Sequence, residues 1–212
     1  MHLRRLDEAP CPSDIIAIAI NGNDKEPHCG ILYTTAGNVV RLCDMKFEHL
    51  LGVRTPPPRY FWIDVKLDPV ESLQIAVFIE MIIEREQFRP LPYSFLYTPD
   101  GFDLTGQIRA GVGVTCATFI INILDHFQFK LVDLASWKRR PKQDAAFRQR
   151  IIEFAKLNGY RPLADRLRTE TEMFRLKPWE VYASASHTRY PVRFCQAKKL
   201  ARTLSKLLRK KP

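Results

Sequence analysis

The sequence predicts an α+β fold: a small antiparallel sheet packed against helices, continued by a helical C-terminal extension. Three observations carry this expectation. Short apolar runs closed by turn residues occupy the first third of the 212-residue chain. Segments with helical periodicity and recognisable caps occupy the rest, and strands followed by helices is the α+β order. Fifteen prolines, several of them clustered, argue against a simple helical bundle.

The first predicted strand is "SDIIAIAING", residues 13–22, a continuous apolar run ended by a turn. "HCGILYTT" (28–35) and "VVRLCD" (39–44) flank the tight turn "AGN" and read as a hairpin. "RTPPPR" is a rigid connection, and "YFWIDVKL" (60–67) is a further strand rich in aromatic and β-branched residues. A helix opens at "LDPVE". Asp68 suits the N-cap, Pro69 the first helical position, and Glu71 completes a capping box. It runs to about Glu86 with Leu73, Val77, Ile79 or Glu80, and Ile83 along its length. Residues 88–113 form a long irregular stretch of prolines, glycines and aromatics, the kind of ordered loop that often carries function.

The next helix opens near Thr115–Cys116 and continues through "ATFIINILDHF", apolar nearly all round and therefore buried. "FQFKLVDL" reads as a short strand or loop. "DAAFRQRIIEFAKLNG" (144–159) is a helix stopped by Asn158–Gly159, and "PLADRLRTETEMF" and "KPWEVYASA" are further helices. "CQAKKLARTLSKLL" (195–208) is amphipathic, with Ala197, Leu200, Ala201, Leu204, Leu207 and Leu208 on one face, and is expected to pack through Leu200, Leu204 and Leu207. Trp137 and Trp179 read as structural.

Composition narrows the function. Hydrophobic residues at 46% suffice for a sizeable core. The longest apolar stretch, "LQIAVFIEMII", is broken by Gln74 and Glu80 and falls short of the roughly 18–20 residues of a membrane span, so no transmembrane segment is expected. "IIAIAI" is short for a signal-peptide core and is followed by "NGND", which points away from export. The five cysteines (Cys11, Cys29, Cys43, Cys116 and Cys195) are few, odd in number and spread out, as in a cytoplasmic protein with reduced thiols. His28, Cys29 and Cys43 are of zinc-ligand type, but their spacing matches no standard pattern. No metal or organic cofactor is expected. Most of the net charge of +10 sits in residues 195–212, which hold seven lysines and arginines and no acid. Such a tail suits nucleic-acid phosphates or an anionic membrane face, and equally a capping helix whose lysines are solvated.

The stretch "GVGVTCATFI" (111–120) carries the chemistry. Cys116 lies where a glycine-rich connection gives way to a helix. A thiol there is either a small core residue or a nucleophile, since helix N-terminal N–H groups favour the thiolate and can hold an oxyanion. Gly111 and Gly113 would let a substrate approach the backbone. A nucleophilic cysteine also needs a histidine. Among His2, His28, His49, His126 and His187, His28 stands out at the head of a strand. Cys29, its neighbour, is expected to point away from the site.

"HCGILYTTAGNVVRL" followed far downstream by "TCATFI" resembles the circularly permuted branch of the papain-like, NlpC-related cysteine hydrolases, which includes the lecithin–retinol-acyltransferase-like and YiiX-like groups. His28, Gly30, Ile31 and Tyr33 match its histidine strand; Cys116, Phe119 and Ile120 match its cysteine helix. "PYSFLY", Pro92 to Tyr97, resembles its tyrosine-rich stretch before that helix. The resemblance covers roughly residues 13–130 and leaves 131–212 as a helical extension ending in the basic amphipathic helix. It implies a third polar residue on the second hairpin strand to orient His28. The corresponding position is Arg41, which has no acceptor lone pair. Asp44 would serve if the strand is offset or bulged, and Asp64 is a second candidate.

The implied function is a cysteine-dependent hydrolase or acyl-transferase. Cys116 attacks an amide or ester, His28 is the general base, Asp44 stands behind it, and an acyl-enzyme forms and resolves. The substrate would be a peptide, an isopeptide, a cell-wall fragment or a lipid. The alternative is a non-catalytic papain-like scaffold that binds an anionic partner, nucleic acid or membrane, through its basic C-terminal helix.

Overall fold

A computed structural model describes residues 4–9, 11, 16–23, 26–34, 37–45, 51–86, 91–171 and 175–208. Six strands form one sheet: β1 (Arg4–Arg5), β2 (Ala17–Ile20), β3 (Cys29–Thr34), β4 (Val40–Met45), β5 (Leu51–Arg54) and β6 (Phe61–Asp64). Their order is β1-β6-β2-β3-β4-β5, and every pairing is antiparallel. The expected strands are present as β2, β3, β4 and β6. The two edge strands were not expected: β1 has only two residues, and the four of β5, "LGVR", are all half-buried and show no alternation, so pairing with a neighbour defines them.

The pleat sorts the side chains of β3. Cys29, Ile31 and Tyr33 join the core under the helices, and Leu32 joins Ala17, Ala19, Leu42 and Trp62 on the reverse face. The N-terminal segment covers that reverse face, with Leu6 and Cys11 packed there and Trp62 Nε1 donating to the Ala9 carbonyl at 2.7 Å.

The helices are α1 (Pro69–Glu86), α2 (Cys116–His126), α3 (Pro141–Leu157), α4 (Arg161–Thr169), α5 (Pro178–Ala185) and α6 (Phe194–Leu208). At α1 the expected capping box is reciprocal: Glu71 N donates to Asp68 Oδ1 at 2.8 Å, and Asp68 N to Glu71 Oε2 at 3.0 Å. Its buried face is Ile75, Phe78, Ile79 and Ile82, whereas Leu73 and Val77 are exposed. A helix apolar on more than one side does not reveal which stripe meets the sheet.

α1, α2 and α5 lie on the sheet, and α6 packs on α5. One core runs from Ile16 to Leu204, with no break at residue 130. Trp137 and Trp179 are buried in it. "FQFKLVDL" forms a single parallel bridge, Val132 to Val192, and a 3-10 turn over Leu134–Ser136. On α6 the buried stripe is Ala197, Ala201 and Leu204; Leu207, expected inside, is 47% exposed. Arg209–Pro212 lie outside the described residues. Among the described residues no helix is long and apolar enough to cross a membrane.

α3 and α4 make a hairpin with its own small core on Tyr93 and Phe95, from the loop before α2. Glu170 ties the two parts, accepting from Ser94 Oγ at 2.8 Å and Phe95 N at 2.7 Å. The helical hairpin therefore stands against the loop that leads to Cys116.

Candidate active site

Cys116 is the first residue of α2. Thr115 is its N-cap: the side-chain oxygen accepts from Thr118 N at 3.2 Å, and Thr118 Oγ1 accepts from Thr115 N at 2.7 Å. This box takes up the third N–H of the helix and leaves those of Cys116 and Ala117 without an intrahelical partner. The glycines before it have a different use from the one expected. Gly113 packs on the chain: a Cβ there would lie 2.5 Å from Ser94 Cβ and 3.1 Å from the Pro92 carbonyl. Gly111, at φ +79°, makes a turn with open space around it.

His28 directly precedes β3. Asn21 holds its backbone: Asn21 Oδ1 accepts from His28 N at 3.1 Å, and Asn21 N donates to the His28 carbonyl at 3.0 Å. The imidazole faces Asp44, Nε2 to Oδ2 at 3.2 Å, and lies close enough to the Cys116 sulfur for each to shift the other's pKa. The three residues expected to act together thus converge.

Asp44 reaches His28 through an unbulged ladder. Ile31 pairs with Cys43, and Asp44, one residue on, lies beside Gly30. Gly30 is required there, since a Cβ would lie 2.6 Å from the Cys43 carbonyl and 2.9 Å from Asp44 Cβ. The expectation that Arg41 occupies the third position is corrected: it lies opposite Tyr33 with its side chain exposed. Asp64 is paired with Ala17 on another strand and bonds Lys66 at 2.5 Å. Arg54, on the unexpected β5, donates to the same Asp44 oxygen at 2.7 Å and to Tyr60 OH at 3.2 Å.

Cys29 does not line the cleft, as expected, yet its buried thiol lies close enough to Cys116 for the two to act on each other's pKa. It joins Ile31 and Tyr33 on the helix-facing side of β3, whereas His28 precedes the strand, so the pleat does not set the direction of the His28 ring.

The electrostatics follow from these contacts. The Cys116 thiol is held well below its ordinary value by the hydrogen bond from Cys29 and by the hydrogen bond and charge of His28, against the opposing effect of burial. Burial disfavours the His28 cation, yet hydrogen bonds to Asp44 and Cys116 and their charges outweigh it and raise the pKa to about 9. Burial likewise pushes Asp44 upward, but His28 and Arg54 hold its carboxyl below the ordinary value. The set therefore favours a thiolate–imidazolium pair.

A cleft of about 520 Å³ opens over Cys116 and His28. Its far wall comes from the helical extension, with Phe147, Arg150, Ile151 and Phe154 of α3 and with Arg175. Arg54, Asn21, Phe147, Arg150 and Arg175 were not anticipated as site residues. Only Asn21 left a signal, in the turn "NGND" that follows β2. Among the described residues no group of three His, Cys, Asp or Glu side chains is arranged to hold a metal. No family model matches the chain, and no curated protein or solved structure matches it.

Proposed function

We propose that this chain is a cysteine-dependent hydrolase or acyl-transferase of the circularly permuted papain-like kind its motifs resemble. One observation carries the reading: Cys116, at a helix N-terminus, and His28 line one cleft, with Asp44 buried behind His28. With Nε2 engaged by Asp44, Nδ1 takes the Cys116 proton. The thiolate forms a bond to the carbonyl carbon of an amide or ester. The carbonyl oxygen becomes an oxyanion and is met by the N–H groups of Cys116 and Ala117. His28 then gives its proton to the departing nitrogen or oxygen, and the acyl group stays on Cys116. Water or an acceptor nucleophile, deprotonated by His28, attacks the thioester and releases the thiol.

Alkylation of the folded protein by iodoacetamide below a pH of about 6, where an ordinary thiol is protonated, tests this. The label should fall on Cys116, and His28→Ala should slow it. A Cys116 that stays unlabelled there while the fold is intact would overturn the reading. It would leave a scaffold whose exposed cations on α6, Lys199, Arg202 and Lys206, make its contacts.

A further inference from the structure

The wall facing Cys116 holds two cations on one aromatic ring. The Arg175 guanidinium carbon lies 3.3 Å from the Phe147 ring centroid and that of Arg150 lies 5.6 Å from it. All three residues line the cleft that contains Cys116 and His28. Arg150 is exposed, whereas Arg175 is half-buried and contrasts with two other half-buried arginines. Arg54 is paired with Asp44, and Arg140 with Glu180 and Asp144. Among the described residues, Arg175 and Arg150 form no ion pair with a carboxylate. Asp144 acts on Arg175 only from a distance, since it is engaged by Arg140. Glu26, the acidic residue lining the cleft, is exposed on the β2–β3 connection.

A guanidinium removed from water without a counterion is destabilising, and a ligand anion relieves that cost. Stacking on Phe147 holds the plane of the group while leaving its N–H edges for a planar or tetrahedral oxyanion. We propose that Arg175 and Arg150, held on Phe147, form an anion-binding subsite beside Cys116, so that the acyl compound taken by this site carries a carboxylate or a phosphate. The assignment rests on the reading of Cys116 as nucleophile. Burial lowers the pKa of Arg175 to about 10, in keeping with a cation poorly compensated by the protein itself.

Two reagents test it, because they alkylate by the same displacement and differ in charge. Iodoacetate carries a carboxylate and iodoacetamide does not. His28 attracts the anion in every variant with the ring intact, so the informative quantity is the ratio of the two rates in wild type against that in Arg175→Gln. The expected result is a fall of roughly tenfold in the ratio of the iodoacetate rate to the iodoacetamide rate, and partial retention of the ratio in Arg175→Lys. An unchanged ratio would overturn the subsite and leave the nucleophile reading intact. Failure of Cys116 to react with either reagent would strike the nucleophile reading instead, and the subsite with it. Should Arg175→Gln not fold, protection of wild-type Cys116 from iodoacetamide decides the matter. Protection by millimolar succinate supports a carboxylate, protection by inorganic phosphate a phosphate, and protection by neither overturns the proposal.

Discussion

His28 Nε2 lies 3.2 Å from Asp44 Oδ2, and the same oxygen accepts from Arg54 at 2.7 Å. The histidine is therefore oriented by a carboxylate that is itself restrained from the opposite side. Asp44 is fully buried, and its second oxygen, Oδ1, has no hydrogen-bond partner among the described residues. Holding a carboxylate charged in that setting requires both cations. It also makes Asp44 the residue through which the reactivity of Cys116 can be tuned without touching the sulfur.

Asp44→Asn keeps the shape and removes the charge. His28 then loses the partner that sustains its imidazolium, and Cys116 loses thiolate character. The iodoacetamide rate on the acid side should fall by about tenfold for each unit of pKa depression that is lost. Arg54→Gln should act the other way on His28, because it removes the competitor for the same oxygen. Rate–pH profiles of the two variants, with circular dichroism to confirm folding, check both signs.

The pH dependence of the native protein follows from the same pair. Cys116 is depressed below its ordinary value and His28 is raised to about 9. The thiolate fraction, and with it the iodoacetamide rate, should rise as pH passes upward through the lowered Cys116 value and then level off. In the proposed mechanism the leaving group takes the His28 proton, so turnover of an acyl substrate should decline again above a pH of about 9. A bell-shaped turnover profile over a flat alkylation plateau is the expected pattern; an acid limb at the position of an ordinary thiol would refute it.

The last helix is held by Phe194, Ala197, Ala201 and Leu204, with Leu200 packed at the edge of the core. Leu204 is buried and Leu207 is largely in water. Leu204→Ala should cost about 2–4 kcal/mol, whereas Leu207→Ala should stay within about 0.5 kcal/mol. Urea denaturation of the two variants separates them. Removal of residues 196–212 should lower the melting temperature, because Ala197 and Ala201 leave the core together with Leu204.

Local chemistry made part of this protein legible in its sequence. The Asp68–Glu71 box sets the start of α1, and Thr115 places Cys116 at the first position of α2, because caps depend only on residues within one turn. The apolar runs around "AGN" announce the β3–β4 hairpin, and the order of His28 and Cys116 names the two halves of the site. What the chain could not declare locally is what those halves meet. Asp44 becomes the partner of His28 because an unbulged ladder brings it beside a glycine with no Cβ to obstruct it. Cys29 comes near Cys116 because it lies with Ile31 and Tyr33 on the side of β3 that the helices cover. Arg54 enters through an edge strand without alternation, and Arg150 through a helix whose own small core is tied by Glu170. Each of these rests on contacts between residues far apart in the chain. Register, packing and burial settle such contacts, and none of the three can be read from neighbouring residues alone.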